Sequence, residues 1–228
     1  MSAAVNEAML YTHRAGVLHG GGLMMGQPGT EEAVRLAREN PSFQTGFHLH
    51  LCDSQPLTMD RWPWSSHVTA GWSIGLLPSS RTLMRREVQA QWQAFRETGI
   101  RCAYVNSHHH LHVHPMIYAA LLEAIGSENA GWLRLGRPCF FDATPGKRWL
   151  SRGIFLLQKP RRRRCRLPVS DTLWGVDRIF RMRADEVNQA MASLPDGRHE
   201  FMFHPRTIRG DIDTETLIEL KERYGVRQ

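Results

Sequence analysis

Histidines cluster in one short stretch of the chain, NSHHHLHVHP, which runs from Asn106 to Pro115 and holds five of the chain's 12 histidines. Imidazole is a common metal ligand and the side chain that most readily exchanges a proton near neutral pH. In an extended strand, alternate histidines from His108 onward would share one face, whereas a helical turn would align His108 with His112. In either conformation two or three of the five can reach one ion, so the stretch predicts a metal or acid–base site. His114 is expected to lead into a helix that begins at Pro115.

Three histidines lie in or directly after short apolar segments that are typical of strands. His48 lies in the alternating segment GFHLHL, His108 follows CAYV, and His204 follows EFMF. Active sites of parallel sheets and barrels lie at the carboxyl ends of the strands. Any one of these histidines alone would more often be a structural, hydrogen-bonded residue. The three together favour a functional site at one edge of a sheet.

Short apolar segments and longer amphipathic segments alternate along the chain, which predicts an α/β fold with a parallel sheet or barrel. Residues 136–183 give no clear pattern. We predict a single domain over 1–228, with a long irregular loop at about 53–80 and a variable basic segment at about 136–170. The predicted helices cover 3–15, 30–39, 82–99, 115–126, 184–197 and 213–225, and the predicted strands cover 17–25, 43–51, 100–105, 131–137 and 199–205.

Composition limits the functional classes further. The chain has 228 residues, 42% of them hydrophobic, which suffices for one sizeable core. Its net charge of +7 includes one basic run, KPRRRRCR at Lys159–Arg166, which is best explained as a solvated loop and, as an alternative, as an anion-binding segment. The four cysteines form no C-x-x-C pair, and no stretch of the sequence resembles a signal peptide or a membrane span. A cytoplasmic protein without a membrane or nucleic-acid partner is therefore expected.

Several of these segments together resemble the YdjC-like carbohydrate deacetylases, a family that includes chitooligosaccharide deacetylases and a hopanoid-associated branch. The resemblance covers about residues 3–135 and 171–206. Each segment alone is a weak signal, and the combination is specific. The segments that carry it are AVNEAMLYTHRAGVL, TGFHLHLCDSQPL, MRREVQAQWQAFRETGI, HHHLHVHP, WLRLGR and EFMFHP.

The resemblance implies a (β/α) barrel-like parallel sheet surrounded by helices and removal of acetyl groups from small N-acetylated sugars such as chitooligosaccharides. It implies a divalent metal ion, Mg²⁺ or Zn²⁺, with His48 and His108 as ligands. It also implies that His204 is the catalytic acid that protonates the leaving amine. A homo-oligomer is left open. Four more residues are candidates for hydrogen bonds that orient the metal-ligating histidines or for contacts with the substrate: His50, His110, His112 and Arg134.

The sequence lacks carboxylate side chains that the family has at its site. The family begins with a strand ending in N-A-D-D-F-G, which supplies an acidic metal ligand and the base, and the resemblance here begins just after that motif. Asn106 replaces a family aspartate, and Asp53 lies in a loop where the family has no ligand. We therefore expect the chain as printed to lack the first strand and to have little activity. Two alternatives are a non-catalytic homologue that binds sugar or metal and an anion- or nucleic-acid-binding protein that uses Arg161–Arg164.

Overall fold

The computed structural model describes residues 2–126 and 130–224. Within it the chain divides into two compact units: unit 1 is Gly21–Leu133, and unit 2 combines Ser2–Gly20 with the described residues from Arg134 onward. The α-helices are α1 Ala3–Arg14, α2 Thr30–Glu39, α3 His67–Leu76, α4 Pro78–Glu97, α5 Pro115–Ile125, α6 Pro145–Arg164, α7 Ala184–Met191 and α8 Ile212–Tyr224. The strands are β1 Gly20–Leu23, β2 Gln44–Leu49, β3 Val105–Ser107, β4 Arg137–Cys139, β5 Thr172–Trp174 and β6 His199–Phe201.

The first sheet has the order β1-β2-β3, and β2 pairs with β3 in parallel, with His48 opposite Asn106. The alternation in β2 turns Phe47 and Leu49 into the core. Phe47 meets the rings of Trp92 and Phe95 edge-on, with ring centroids 5.3 and 5.6 Å away. Both rings belong to α4, so the helix that covers this sheet also fixes the strand that carries His48.

The second sheet has the order β4-β5-β6, with both pairs parallel. Leu173 of β5 lies opposite Pro138 of β4 and Glu200 of β6. A core cluster beside α7 and α8 is built from Met182, Ala184, Val187 and Leu220. The predicted α/β class, with parallel sheets flanked by helices, is thereby confirmed. The single domain over 1–228 stays a prediction.

Several sequence predictions about elements are wrong in part, among them the strand predicted at 100–105, because β3 begins only at Val105. The loop predicted at 53–80 is irregular only in its first half, because the side chain of Ser66 accepts from the backbone N–H of Thr69 and starts α3 with a capping box. Residues 136–170 contain β4 and α6, and the basic run up to Arg164 is the last part of α6 and not a loop. The strand predicted at 131–137 is displaced to 137–139, and Leu133 forms only an isolated bridge to Val105.

None of the described helices combines the length and the apolar character needed to cross a membrane.

Candidate metal and acid–base residues

His48 is held in a defined orientation on β2. Its Nδ1 lies 2.5 Å from the side-chain oxygen of Asn106, the residue opposite it on β3. An amide oxygen only accepts hydrogen bonds, so the proton sits on Nδ1 and the lone pair on Nε2, the tautomer in which a histidine ligates through Nε2. A Cβ on Gly22 would lie 2.9 Å from that of His48, so the triple glycine of β1 makes room for this residue.

His108 follows β3 directly and lies beside His48. The two ring centroids are 5.9 Å apart with the rings nearly perpendicular. Zn²⁺ binds imidazole nitrogen at about 2.0–2.1 Å, a distance compatible with one ion between two rings at this separation. The structure therefore brings together the two residues that the sequence singled out as ligands, both within unit 1.

The histidine stretch is neither a strand nor a regular helix. Residues 108–113 form a 3-10 helix in which His109 and His110 have φ values of 51° and 55°, in the left-handed region. The side chain of Ser107 accepts from the backbone N–H of His112 and lies 2.7 Å from its Nδ1, so this buried ring fastens the turn to β3. The ring of His110 lies 6.2 Å from that of His112. His114 accepts from the N–H of Met116 and so caps α5, as predicted.

His50 is fully buried, two residues after His48. Its Nδ1 lies 2.7 Å from Oγ of Ser54, and its Nε2 lies 2.9 Å from the carbonyl oxygen of Met25. Burial lowers its pKa, which keeps the ring neutral. Both nitrogens thus contact protein atoms, an arrangement that fastens a loop and does not favour the predicted contact with substrate.

The left-handed turn directs His109 towards Asp53, a pairing that the sequence did not indicate. The two side chains lie 2.8 Å apart, and the ring of His109 stacks on that of His67 with centroids 4.5 Å apart. Cys52, Asp53 and His109 place their ligand atoms within 4.8 Å of one another. Burial, together with the charge of Asp53, raises the pKa of the Cys52 thiol to about 12. In residues 2–126 and 130–224 this is the one group of three His, Cys, Asp or Glu side chains whose ligand atoms lie so close together, and it includes neither His48 nor His108.

His204 follows β6 in unit 2 and is half-buried. Its backbone N–H donates to the carboxylate of Asp213 at 2.6 Å, while its Nδ1 has no partner among the described residues. Desolvation, with the positive charge of Arg134, lowers the pKa of His204 to about 4. Arg134 itself forms a buried ion pair with Glu200 of β6 at 2.7 Å. The meeting of His204 with the other two histidines stays a prediction.

A model of the YdjC family, described as YdjC-like protein, matches residues 1–224 of the chain. A carbohydrate deacetylase of Brevibacillus brevis is 33% identical over 125 residues, which are 54% of this chain and 50% of that protein. A carbohydrate deacetylase of Vibrio cholerae is 29% identical over 133 residues, with the same two shares. The match thus spans about half the length of these curated relatives.

A solved structure from Enterococcus faecalis V583, provisionally named a cellobiose-phosphate cleavage protein, has a similar fold. The TM-score is 0.68 at 16% identity, over 97% of this chain and 88% of that one. At this identity the similarity concerns the fold alone.

Proposed function

Because the chain belongs to the YdjC-like family, we propose that it is a metal-dependent hydrolase that removes acetyl groups from N-acetylated sugars, with short chitin oligosaccharides as candidate substrates. The name of the curated relatives, carbohydrate deacetylase, supports the reaction type. The observation that carries the proposal is the pair His48 and His108, which have their rings 5.9 Å apart at the end of two parallel strands.

The pair fits two of the positions in a divalent metal site. Asn106 fixes the tautomer of His48 in the way that outer hydrogen bonds orient metal-ligating histidines. A bound Zn²⁺ or Mg²⁺ would polarise the acetyl carbonyl and lower the pKa of a bound water. Asp53 contacts His109, the residue after His108, and is therefore an anionic side chain beside the histidine turn. Among metals, imidazole ligands favour Zn²⁺ over Mg²⁺.

His204 is proposed, on the resemblance, to protonate the leaving amine. A general acid works best when its pKa lies near the operating pH. With a pKa of about 4, His204 is neutral at pH 7 and is a proton acceptor in the state described. The proposed role therefore requires that its pKa rise in the substrate complex, for instance because an anionic group of the substrate offsets the effects of burial and of Arg134.

A second candidate function is a non-catalytic protein that binds metal or sugar. It is favoured by one observation: the compact group of ligand-type side chains found in the described residues, Cys52, Asp53 and His109, includes neither His48 nor His108. Nucleic-acid binding through Arg161–Arg164 is less favoured. Arg162 donates to the backbone carbonyls of Leu135 and Ser170 and pairs with Asp171, so one member of the run is part of the structure of unit 2.

One set of variants separates these functions. Metal binding is measured by calorimetry, and acetate release from N-acetylglucosamine oligomers is measured with and without chelator. We expect His48→Ala and His108→Ala to lose both metal and acetate release, and His204→Ala to keep the metal and lose on the order of 10²–10⁴ in turnover. His19→Ala, at an exposed position, is the control.

Metal binding without acetate release by the unmodified chain would favour the non-catalytic alternative. Full metal binding by both ligand variants would overturn the proposed site.

A further inference from the structure

Helix α6 exposes a stripe of large apolar side chains that no described contact explains. Trp149 and Leu157 are each 73% exposed, Leu156 is 62% exposed and Leu150 is 55% exposed. Spacings of seven and eight residues place Trp149, Leu156 and Leu157 on one face of a helix. Soluble proteins rarely leave such a contiguous face in water, and a large exposed patch marks an interaction site.

The opposite face of α6 is anchored within unit 2, so the stripe cannot turn inward. Ser151 is buried and donates to the carbonyl oxygen of Pro138 on β4 at 2.5 Å. Gln158, seven residues on, is also buried. Arg162 donates to the carbonyl oxygen of Leu135 at 2.6 Å. This face therefore holds the helix against the sheet and leaves the apolar stripe outward.

Every charged residue of α6 is basic. On the exposed surface Arg148, Arg152, Lys159 and Arg163 border the apolar stripe on one side. A groove of about 310 Å³ lies at the end of the stripe and is lined by Leu156, Lys159, Pro160, Arg163 and Arg164. This open space between side chains of one helix thus joins two apolar residues to three cationic ones, a combination that suits the head-group region of an anionic lipid surface.

We propose that α6 docks on the surface of a bilayer that contains anionic lipids. The helix lies in the interface, with Trp149, Leu156 and Leu157 among the upper acyl carbons and the arginines at the level of the phosphates. This departs from the expectation of no membrane partner. It requires no spanning segment, in keeping with the finding that no described helix could cross a bilayer.

Two other occupants fit the surface less well. A second copy docked on the same face would bring two wholly basic helices together, and their repulsion opposes pairing. The phosphates of a nucleic acid could pair with the arginines, and its bases could stack on an aromatic ring. The exposed leucines, however, would find no apolar surface on it to bury against. An anionic membrane surface matches both the charge and the apolar character of α6.

The test is co-sedimentation of the full chain with vesicles of phosphatidylcholine alone or mixed with phosphatidylglycerol. We expect binding to the mixed vesicles and much weaker binding to the neutral ones. Arg163→Gln with Arg164→Gln should weaken binding about fivefold for each arginine removed. Trp149→Ser with Leu157→Ser should weaken it by about tenfold or more, because two apolar side chains no longer enter the interface.

Helix α3 supplies a matched control. Trp72 and Leu76 are 67% and 68% exposed, but α3 contains neither lysine nor arginine. Trp72→Ser with Leu76→Ser removes a similar apolar area and should leave vesicle binding unchanged. Arg86→Gln with Arg209→Gln removes two exposed arginines outside α6 and should also have little effect. Melting curves check that each variant folds. If Trp149→Ser with Leu157→Ser melts at a lower temperature than the unmodified chain, Leu157→Ser alone is used in its place.

Four results would overturn the proposal. The first is a lack of binding to mixed vesicles at low ionic strength. The second is binding that depends on the arginines but not on Trp149 and Leu157, since that is adsorption by charge alone. The third is a dimer, measured by sedimentation equilibrium, that these apolar variants dissociate. The fourth is single-stranded DNA binding that needs Arg163 and Arg164 while vesicles do not bind. Acetate release from soluble sugars should be the same in all α6 variants, so this test is independent of the proposed function.

Discussion

The histidines at the ends of β2 and β6 have different surroundings. At the end of β2, His48 rests against a neutral amide and faces another imidazole, His108. At the end of β6, His204 is half-buried with a positive charge nearby, and its pKa falls to about 4. The same residue type after the same kind of strand is thus prepared for two different tasks.

The difference shows that a histidine's neighbours decide its chemistry. A neutral acceptor such as Asn106 selects a tautomer without adding charge, which suits a ligand that must stay unprotonated. Burial, together with a nearby arginine, disfavours the imidazolium form of His204, which suits a residue that accepts a proton or binds an anion. The following predictions separate these two environments, in order of decreasing effect.

The largest effect is expected where a charge is buried in unit 2. Glu200→Gln would leave Arg134 without its buried partner, and breaking such a pair costs about 3–5 kcal/mol of unfolding free energy. The matched control is Glu39→Gln, which breaks an exposed pair with Arg35 and should cost only about 0.3–0.5 kcal/mol. Urea unfolding measures both. Equal losses in the two variants would show that the Arg134–Glu200 pair contributes no more than a surface pair.

The second effect is a dependence of stability on pH that comes from His204. Its pKa of about 4 in the folded state lies below the ordinary value of 6.5, so the unfolded chain takes up this proton first as the pH falls. Stability from this group is therefore complete above pH 6.5 and is lost towards pH 4, by up to about 3 kcal/mol.

His204→Gln should flatten that part of the stability curve, whereas His19→Gln, at an exposed position, should retain it. Denaturant unfolding at a series of pH values measures the slope. A curve for His204→Gln that parallels the unmodified chain would mean that the imidazole is protonated as easily in the folded state as in the unfolded one.

The sequence predicted those parts of the fold in which local signals and packing agree. The alternation in β2 and the proline that opens α5 both matched the structure. Helix α6 was missed because its apolar residues face outward and its basic run resembles a loop. The spacing of apolar residues that normally indicates a buried helix face was therefore weak in α6.

The candidate site was predictable as a set of residues but not as an arrangement. His109 and His110 adopt left-handed backbone angles, which non-glycine residues rarely do, so no spacing rule pointed to the contact of His109 with Asp53. The pKa of His204 depends first on its burial and then on Arg134, which is distant in sequence, so the local sequence indicates neither cause. Gly22 lies against His48, and a glycine inside a strand is a local sign of such a close approach that the sequence analysis did not use.

The smallest expected effect concerns Asn106, the residue that distinguishes His48 from its neighbour His50. If Asn106 orients His48 for a metal, Asn106→Ala should lower metal affinity about 10–100-fold, the usual cost of losing a partner of a ligand. Asn106→Asp should raise affinity, because a carboxylate makes the imidazole more basic.

Ser54→Ala removes the comparable partner of His50 and should leave metal affinity unchanged, since both nitrogens of His50 face protein atoms. Calorimetric titration with Zn²⁺ compares the three variants. Equal losses for Asn106→Ala and Ser54→Ala would mean that the turn as a whole, and not the orientation of His48, governs binding. A gain confined to Asn106→Asp would show that the site lacks negative charge more than it lacks orientation.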